Sequence, residues 1–265
     1  MDSIAGLDVV LGDGVLRLSL DRVERRNAID DVMMLGLIAA INEAGTDERV
    51  RVIVLSGAGE HFCSGADIVA RNAGTERPRP GSIQRRLPTQ AHRLIPTMLE
   101  TQVPVVCAVR GWAAGIGFQL ALAADFCIAT TDARFWEPFT ERGFTPDSGA
   151  TWMLPRRVGE VRARELLLLG RVLTGADAQA WGAIHAAVAP GEFDAAVDAL
   201  VRKLASGPTV ALGLAKSLLH SGRSAHLEAH LADEAFALEL SSRTEDFREG
   251  LAAFRDKRNP TFKGR

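Results

Sequence analysis

The apolar positions of the first sixty residues change period twice. Residues 9–11 (VVL) and 15–20 (VLRLSL) are β-prone runs on either side of Gly12-Asp13-Gly14, a turn whose glycines tolerate positive φ, and the pattern predicts a hairpin. Asp30 or Asp31 then caps a helix that presents Val32, Leu35, Ile38 and Ala39 on one face and stops near Gly45. RVIVLS (51–56) is a continuous apolar run bounded by Gly57 and Gly59, as expected of a strand covered on both faces. The unit recurs. PVVCAVR (104–110) predicts a second buried strand, a glycine-rich loop follows, and FQLALAADF (118–126) carries a helix into a third strand, FCIAT (126–130).

This alternation predicts an α/β protein with mainly parallel connections, and the hairpin points to a coiled ββα repeat rather than a simple doubly wound sheet. From Glu160 onward the pattern is helical, over 162–170, 193–205, 210–219 and 225–240, with breaks at Gly170, Gly175, Gly207-Pro208 and Gly222. The expected organisation is a ββα core over residues 1–195 and a helical layer over 196–265. Residues 71–90 hold Arg71, Arg77, Arg79, Arg85 and Arg86 with Pro78, Pro80 and Pro88 and no apolar period. They predict a surface loop, whose arginines either stay in solvent or meet ligand phosphates.

Composition narrows the function classes. Hydrophobic residues are 47% and charged residues 24% of 265, the mixture of a soluble globular protein, which excludes disordered and collagen-like chains. Basic residues number 31 against 33 acidic, so the net charge of −2 gives no electrostatic reason to expect nucleic acid or an anionic membrane surface. Cys63, Cys107 and Cys127 fit neither a disulfide framework nor a zinc site, and a reducing cytoplasm is the simpler expectation. The first residues carry no basic n-region, and no apolar run approaches the ~20 residues that cross a bilayer. Neither a targeting segment nor a membrane segment is expected.

Several chemistries lack their motifs. The sequence has no GxxxxGK[ST], no HExxH and no GxSxG, and with no tyrosine it has no phenolic acid or base. Gly111, Gly115 and Gly117 do not form GxGxxG, so a dinucleotide site is not supported. What remains is two loops, HFCSGAD (61–67) and GWAAGIG (111–117), each just after a buried strand. In parallel α/β folds ligands bind beyond the carboxyl ends of strands, and the first N–H groups of a helix are free to donate to an anionic oxygen. Two such loops side by side make an oxyanion hole; alternatively, both are tight turns that let helix pack on sheet.

Six segments resemble, in order, successive motifs of the crotonase, or enoyl-CoA hydratase/isomerase, superfamily. They are ERRNAID (24–30), GAGEHFCSGADI (57–68), VRGWAAGIGFQLALAADFCIA (109–129), PDSGATWMLPRRVG (146–159), ELLLLGRVLTGADAQAWGAI (165–184) and EDFREGLAAFRDKRNPTFKGR (245–265). The resemblance implies a ββα spiral with a helical C-terminal layer, assembled as a homotrimer or homohexamer. It implies that the N–H groups of Ala66 and Ile116 bind a thioester carbonyl oxygen. It also implies that Ala66, Asp67, Ile68 and Val69, together with Arg26, Asn27 and Ala28, lie along coenzyme A. Phe262 and Lys263 match tail positions that reach the nucleotide of a neighbouring subunit. Coenzyme A enters as part of an acyl-CoA thioester substrate, and neither a separate cofactor nor a metal is expected.

The sequence departs from the hydratase pattern. Hydratases of the family handle water with two glutamates, and the matching positions here are Gln119 and Phe139, neither of which exchanges a proton near neutral pH. Asp147, eight positions beyond Phe139, matches the aspartate base of dienoyl-CoA and ring-opening enoyl-CoA isomerases. Residues 135–156 look most like the 1,2-epoxyphenylacetyl-CoA isomerase branch. Asp147 is therefore expected to be the base of an isomerisation, although Pro-Asp-Ser-Gly is also a turn whose Asp can cap the next helix.

If their segment is extended, Phe135 and Phe139 share a side and form a dry wall beside Asp147; as core residues they would not. Glu137 is expected in solvent or paired with an arginine rather than as a second carboxylate. Gln119 orients substrate or water, or is a structural amide. His61, His92 and Cys63 lack catalytic partners in the sequence, and Trp112 and Phe118 either shape an acyl pocket or pack helix on sheet. Two further readings share the same oxyanion hole: an acyl-CoA hydrolase, and an acyl-CoA binder without turnover.

Overall fold

A computed structural model describes residues 4–68 and 79–265. β1 (Leu7–Gly12) and β2 (Val15–Leu20) form the expected hairpin, in antiparallel register from Leu7–Leu20 to Gly12–Val15. Asp13 and Gly14 both take positive φ, 51° and 78°, as a two-residue turn between right-twisted strands requires. α1 (Asp31–Ala44) follows, with the Asp30 side chain accepting the Met33 N–H.

The buried face of α1 corrects the expectation. Met33, Met34, Leu37, Ala40, Ile41 and Ala44 face the core, whereas Val32 and Leu35 are 58% and 49% exposed. Apolar residues surround this helix, so period alone does not choose a face. The choice is fixed by close approach: a Cβ on Gly36 would stand 2.6 Å from Ile4 Cγ2, so the start of the chain packs directly on this side.

β3 (Val52–Gly57) pairs parallel to β2, with Leu18 opposite Leu55. Residues 79–90 are exposed or half-buried and differ from a plain loop: they contain α2 (Ser82–Arg86) and a 3-10 turn (Leu87–Thr89). Arg79, Arg85 and Arg86 are exposed, while Arg71, Arg77 and Pro78 lie outside the described residues. α3 (Ala91–Glu100) leads to β4 (Val105–Val109), a short β5 (Trp112–Ala114), α4 (Ile116–Ala123), β6 (Phe126–Thr130) and β7 (Arg134–Trp136). The remainder is α5 (Ala150–Val158), α6 (Glu160–Leu169), β8 (Leu173–Thr174), α7 (Gly175–Ala180), β9 (Ala186–Val188), α8 (Phe193–Ala205), α9 (Thr209–Ser221), α10 (Leu227–Ser241) and α11 (Glu245–Arg255).

The main sheet runs β1-β2-β3-β4-β6-β9, parallel except for the opening hairpin, and β5-β7-β8 form a second, smaller sheet. This is the α/β core with a helical C-terminal layer that the sequence predicts. Alternate residues of β3 explain its unbroken apolar run: Ile53 and Leu55 join the large core with α1, α3 and α4, and Val52 and Val54 face the other way. On that reverse side Phe193, Val197, Val201 and Leu204 of α8 cover Val52, Val54, Val106, Ala108 and Ile128. The boundary expected at residue 195 therefore falls inside a helix that belongs to the core, and the core extends through Ala205. β8 and β9, two and three residues long, went unpredicted because strands that short show no alternation.

Two buried charged side chains, Lys216 and Asp246, help to hold the C-terminal third. Lys216 Nζ of α9 donates to the carbonyls of Met98 and Val103, each at 3.0 Å, and pairs with Asp125 at 2.7 Å. Burial pushes this ammonium below its usual pKa, and Asp125 opposes the shift. The chain end folds back on α11, where the Asp246 carboxylate accepts the N–H groups of Lys263 and Gly264 at 2.7 and 2.8 Å.

Candidate active site

The loops that follow β3 and β4 are joined at the carboxyl end of the sheet. Cys63 N–H donates to Trp112 O at 2.8 Å and Ala114 N–H donates to Cys63 O at 2.9 Å, a parallel bridge between Cys63 and Ala113. On its other side the first loop bridges the segment before α1, with Ile29 N–H donating to Gly65 O at 2.8 Å and Asp67 N–H to Ile29 O at 2.9 Å. That pairing uses the amides of Ile29 and Asp67 and turns the Ala66 N–H off the ladder. Ile116 is the first residue of α4, so its N–H precedes any intrahelical acceptor. Among the described hydrogen bonds neither of these two amides has a protein acceptor.

Glycine permits the approach. Gly65 and Gly115 take φ of +109° and +53°, and a Cβ on Gly65 would stand 3.3 Å from Ala114 O of the second loop. Ile116 is buried and Ala66 half-buried. Asp67 is buried and held by Arg22 at 3.0 Å, which also reaches Asp30 at 3.2 Å, so this carboxylate ties the first loop to the start of α1. Ile68 is half-buried, and Val69 lies outside the described residues.

The Arg26-Asn27-Ala28 segment borders the first loop, since Ser64 N–H donates to Arg26 O at 2.9 Å. The Arg26 side chain is exposed and Ala28 is half-buried. The Asn27 side chain corrects the reading that it lies along coenzyme A: it is fully buried and committed to the protein. Its Nδ2 donates to Ala58 O and His61 O at 2.9 and 2.7 Å, and its Oδ1 accepts from Arg22 N–H at 2.9 Å. Phe262 and Lys263 are not brought to these loops within the protomer. The Phe262 carbonyl accepts from Arg51, which precedes β3 and so stands at the opposite end of that strand.

The polar centre consists of Gln119, Glu137 and Asp147. Gln119 and Glu137 have no exposed surface, and Gln119 Nε2 stands 2.8 Å from both carboxylate oxygens of Glu137. Gln119 Oε1 is buried without a partner. Burial raises the Glu137 pKa well above the ordinary carboxylate range; the Gln119 bond opposes this and the charge of Asp147 adds to it. Glu137 is thus neither solvated nor paired with arginine, contrary to expectation. The sequence did hold a signal: Phe135 and Glu137 are two apart at the end of β7, so a core Phe135 puts Glu137 on the same side.

Asp147 is half-buried in the loop before α5. The cap position of that helix falls to Gly149, and Asp147 contributes its carbonyl to Ala150 N–H at 3.0 Å. Phe135 and Phe139 do not share an extended strand, because Phe139 has φ −61° and ψ −59° at the start of a 3-10 turn (Thr140–Arg142). Phe139 packs edge-on against Phe144 at 5.5 Å, and Phe135 packs on Phe118 at 5.0 Å. Trp112 packs on Trp136 at 5.9 Å. Burial pushes the Cys63 thiol up to about 12, which leaves it inert as a nucleophile near neutral pH.

A cavity of about 360 Å³ is lined by Ser148 and Gly149, the residues that follow Asp147, with Ile95, Leu99, Trp152 and Met153 among others. Larger ones, of about 740 and 600 Å³, lie at Arg51 and Phe262 and between α9 and α10, away from the loops. Among the described residues no group of three or more His, Cys, Asp or Glu could hold a metal ion, and no helix is long and apolar enough to cross a membrane.

Known proteins share the sequence pattern and the fold. The family model for enoyl-CoA hydratase/isomerase matches residues 11–265. The chain is 38% identical to 1,2-epoxyphenylacetyl-CoA isomerase of Escherichia coli over 255 residues, covering 95% of this chain and 96% of that one. It is 34% identical to 2,3-dehydroadipyl-CoA hydratase of the same organism, over 95% of this chain and 96% of that one. An enoyl-CoA hydratase from Bacillus anthracis superposes with a TM-score of 0.90 at 30% identity, covering 98% of this chain and 100% of the other. The protein belongs to the enoyl-CoA hydratase/isomerase family. The ββα spiral expected from its motifs is the crotonase fold.

Proposed function

We propose that this family member is an acyl-CoA isomerase that moves a double bond, or opens a strained ring, next to a thioester. The observation that carries the reading is the joined pair of loops whose Ala66 and Ile116 amides have no protein acceptor among the described hydrogen bonds; Asp147 supplies a half-buried carboxylate from the loop before α5. Removing a proton from the carbon next to a thioester places negative charge on the thioester oxygen. Two preorganised N–H donors stabilise that enolate more than the ground state, each by about 2.7–4 kcal/mol. The Asp147 carboxylate takes the α-proton of a 3-enoyl thioester, and the C–H electrons form the enolate. The Asp147 carboxyl returns the proton to the γ-carbon, and the conjugated 2-enoyl thioester leaves with no net change of atoms. In this reading Phe139 lines the dry side of the acyl group, and exposed Arg26 faces the coenzyme A.

Isomerisation is favoured over water addition because Gln119 and Phe139 occupy the positions of the family's glutamate pair. A homotrimer or homohexamer, with Phe262 and Lys263 meeting a neighbour's nucleotide, belongs to the same proposal. The test mixes the protein with a 3-enoyl-CoA in deuterated water and follows conjugated-thioester absorbance, deuterium uptake and free CoA together. Conjugation with exchange, both lost in Asp147→Asn, is the expected result. Full activity in that variant ends the role of Asp147, and CoA release without conjugation turns the reading to a hydrolase.

A further inference from the structure

The proposed isomerisation uses Asp147 and two backbone amides and leaves Glu137 and Gln119 without a task. They are nevertheless an unusual pair: a carboxyl group and a carboxamide, neither with any exposed surface, in contact through one nitrogen and two oxygens. Burying such groups is unfavourable unless every polar atom is satisfied, and here one is not, since Gln119 Oε1 has no partner. Both Glu137 oxygens stand 2.8 Å from Nε2, and the unprotonated one accepts its N–H, which sets the sense of the carboxamide and leaves its oxygen as the open end.

That oxygen belongs to the reacting end of the site. Gln119 lies three residues after Ile116 on α4, so the two share a side of the helix, and helical side chains lean back toward the N-terminus where the Ile116 amide stands. From the loop before α5, Asp147 is near enough for its charge to act on Glu137. An unpartnered buried acceptor on the helix that opens with the Ile116 amide is a site awaiting a donor.

We propose that Glu137 is a positioning residue that locks the Gln119 carboxamide, so that Gln119 Oε1 accepts a hydrogen bond from an O–H group beside the thioester, carried by the acyl chain or by a water. The inference rests on the acyl-thioester reading and narrows its substrate class. If the acyl chain carries the O–H, the site prefers thioesters with a hydroxyl near the carbonyl. If water carries it, Gln119 holds a molecule that can add to a double bond, with Asp147 as the base.

The experiment measures calorimetric affinity for butyryl-CoA and 3-hydroxybutyryl-CoA, and hydration of crotonyl-CoA, in the wild type, Gln119→Met, Glu137→Leu and Glu137→Gln. On the hydroxyl arm the wild type prefers the hydroxylated ligand by about tenfold, the worth of one good hydrogen bond. Gln119→Met and Glu137→Leu lose that preference while butyryl-CoA still binds, and Glu137→Gln, which can still accept from Nε2, restores most of it. On the water arm the two ligands bind alike, but slow hydration of crotonyl-CoA follows the same order of variants. Equal affinities with no hydration overturn the inference and leave the isomerase reading standing. So does a preference that survives Glu137→Leu. If wild-type protein binds neither ligand, the acyl-thioester reading falls and takes this inference with it.

Discussion

Gly117 and Cys63 meet so closely across the two loops that a methyl group on the glycine would stand 2.8 Å from both the Cβ and the carbonyl oxygen of the cysteine. That carbonyl is itself bonded to Ala114 N–H, so neither partner can step aside without loosening the bridge. Gly117→Ala should cost about 1–3 kcal/mol in denaturant unfolding, as overpacked interiors do. Isomerisation should fall by at least about tenfold, because the Ala66 and Ile116 amides no longer converge. Unchanged turnover in a folded Gly117→Ala would remove the bridge from the mechanism.

Asn27 invites a contrasting test. Its carboxamide satisfies one backbone N–H and two carbonyls, all of which stay buried if the side chain is cut back. Asn27→Ala is expected to destabilise the fold by about 2–4 kcal/mol, through unsatisfied groups. Affinity for acyl-CoA in the remaining folded protein should change little, since the side chain is turned inward. A selective loss of coenzyme A affinity, with stability intact, would give Asn27 back to the ligand.

Glu137 makes stability depend on pH with a definite sign. Its folded pKa is raised above the unfolded value of a glutamate, so between the two the native state holds the extra proton. Stability is therefore lost as pH rises through that window, at no more than about 1.4 kcal/mol per pH unit, and the effect is absent below the unfolded pKa. Glu137→Gln removes the titration. Its melting temperature relative to the wild type should climb with pH from about 5 upward. A difference that stays flat with pH would mean that Glu137 is ionised in both states.

The three cysteines offer a labelling check. Cys63, Cys107 and Cys127 are buried, and burial raises all three thiols, Cys63 to about 12. Iodoacetamide at pH 8 should leave them unmodified in the native protein and should label them at the rate of unfolding in denaturant. Rapid native labelling of Cys63 would show an open first loop.

Much of the fold could be read from the residues. The apolar runs at 51–56, 104–110 and 126–130 correspond to β3 (Val52–Gly57), β4 (Val105–Val109) and β6 (Phe126–Thr130), because strands covered on both faces have few polar positions to confuse the pattern. The face of α1 was misread because its apolar residues surround it and Ile4 decides the matter from outside the helix. The core limit at residue 195 was misplaced because α8 looks from sequence like its helical neighbours, and only the strands behind it reveal its packing. At the site, Ala66, Ile116 and Asp147 came from the resemblance to the family, while the residues alone marked only the two glycine loops. The role of Asn27 and the burial of Glu137 stayed hidden, because both depend on contacts with residues 18 to 34 positions away.

Arg51 gives the chain end a place in the order of folding. Its guanidinium gathers the carbonyls of Gly207 and Phe262, partners 156 and 211 residues away, so these contacts close some of the longest loops in the molecule. Loop-closure entropy and high contact order make such contacts late ones. The tail is expected to dock onto a sheet that has already formed and to be the first part to leave it. Amide protection at residues 261–265 then serves as a gauge of completion, appearing only after the strands are protected and vanishing before they open.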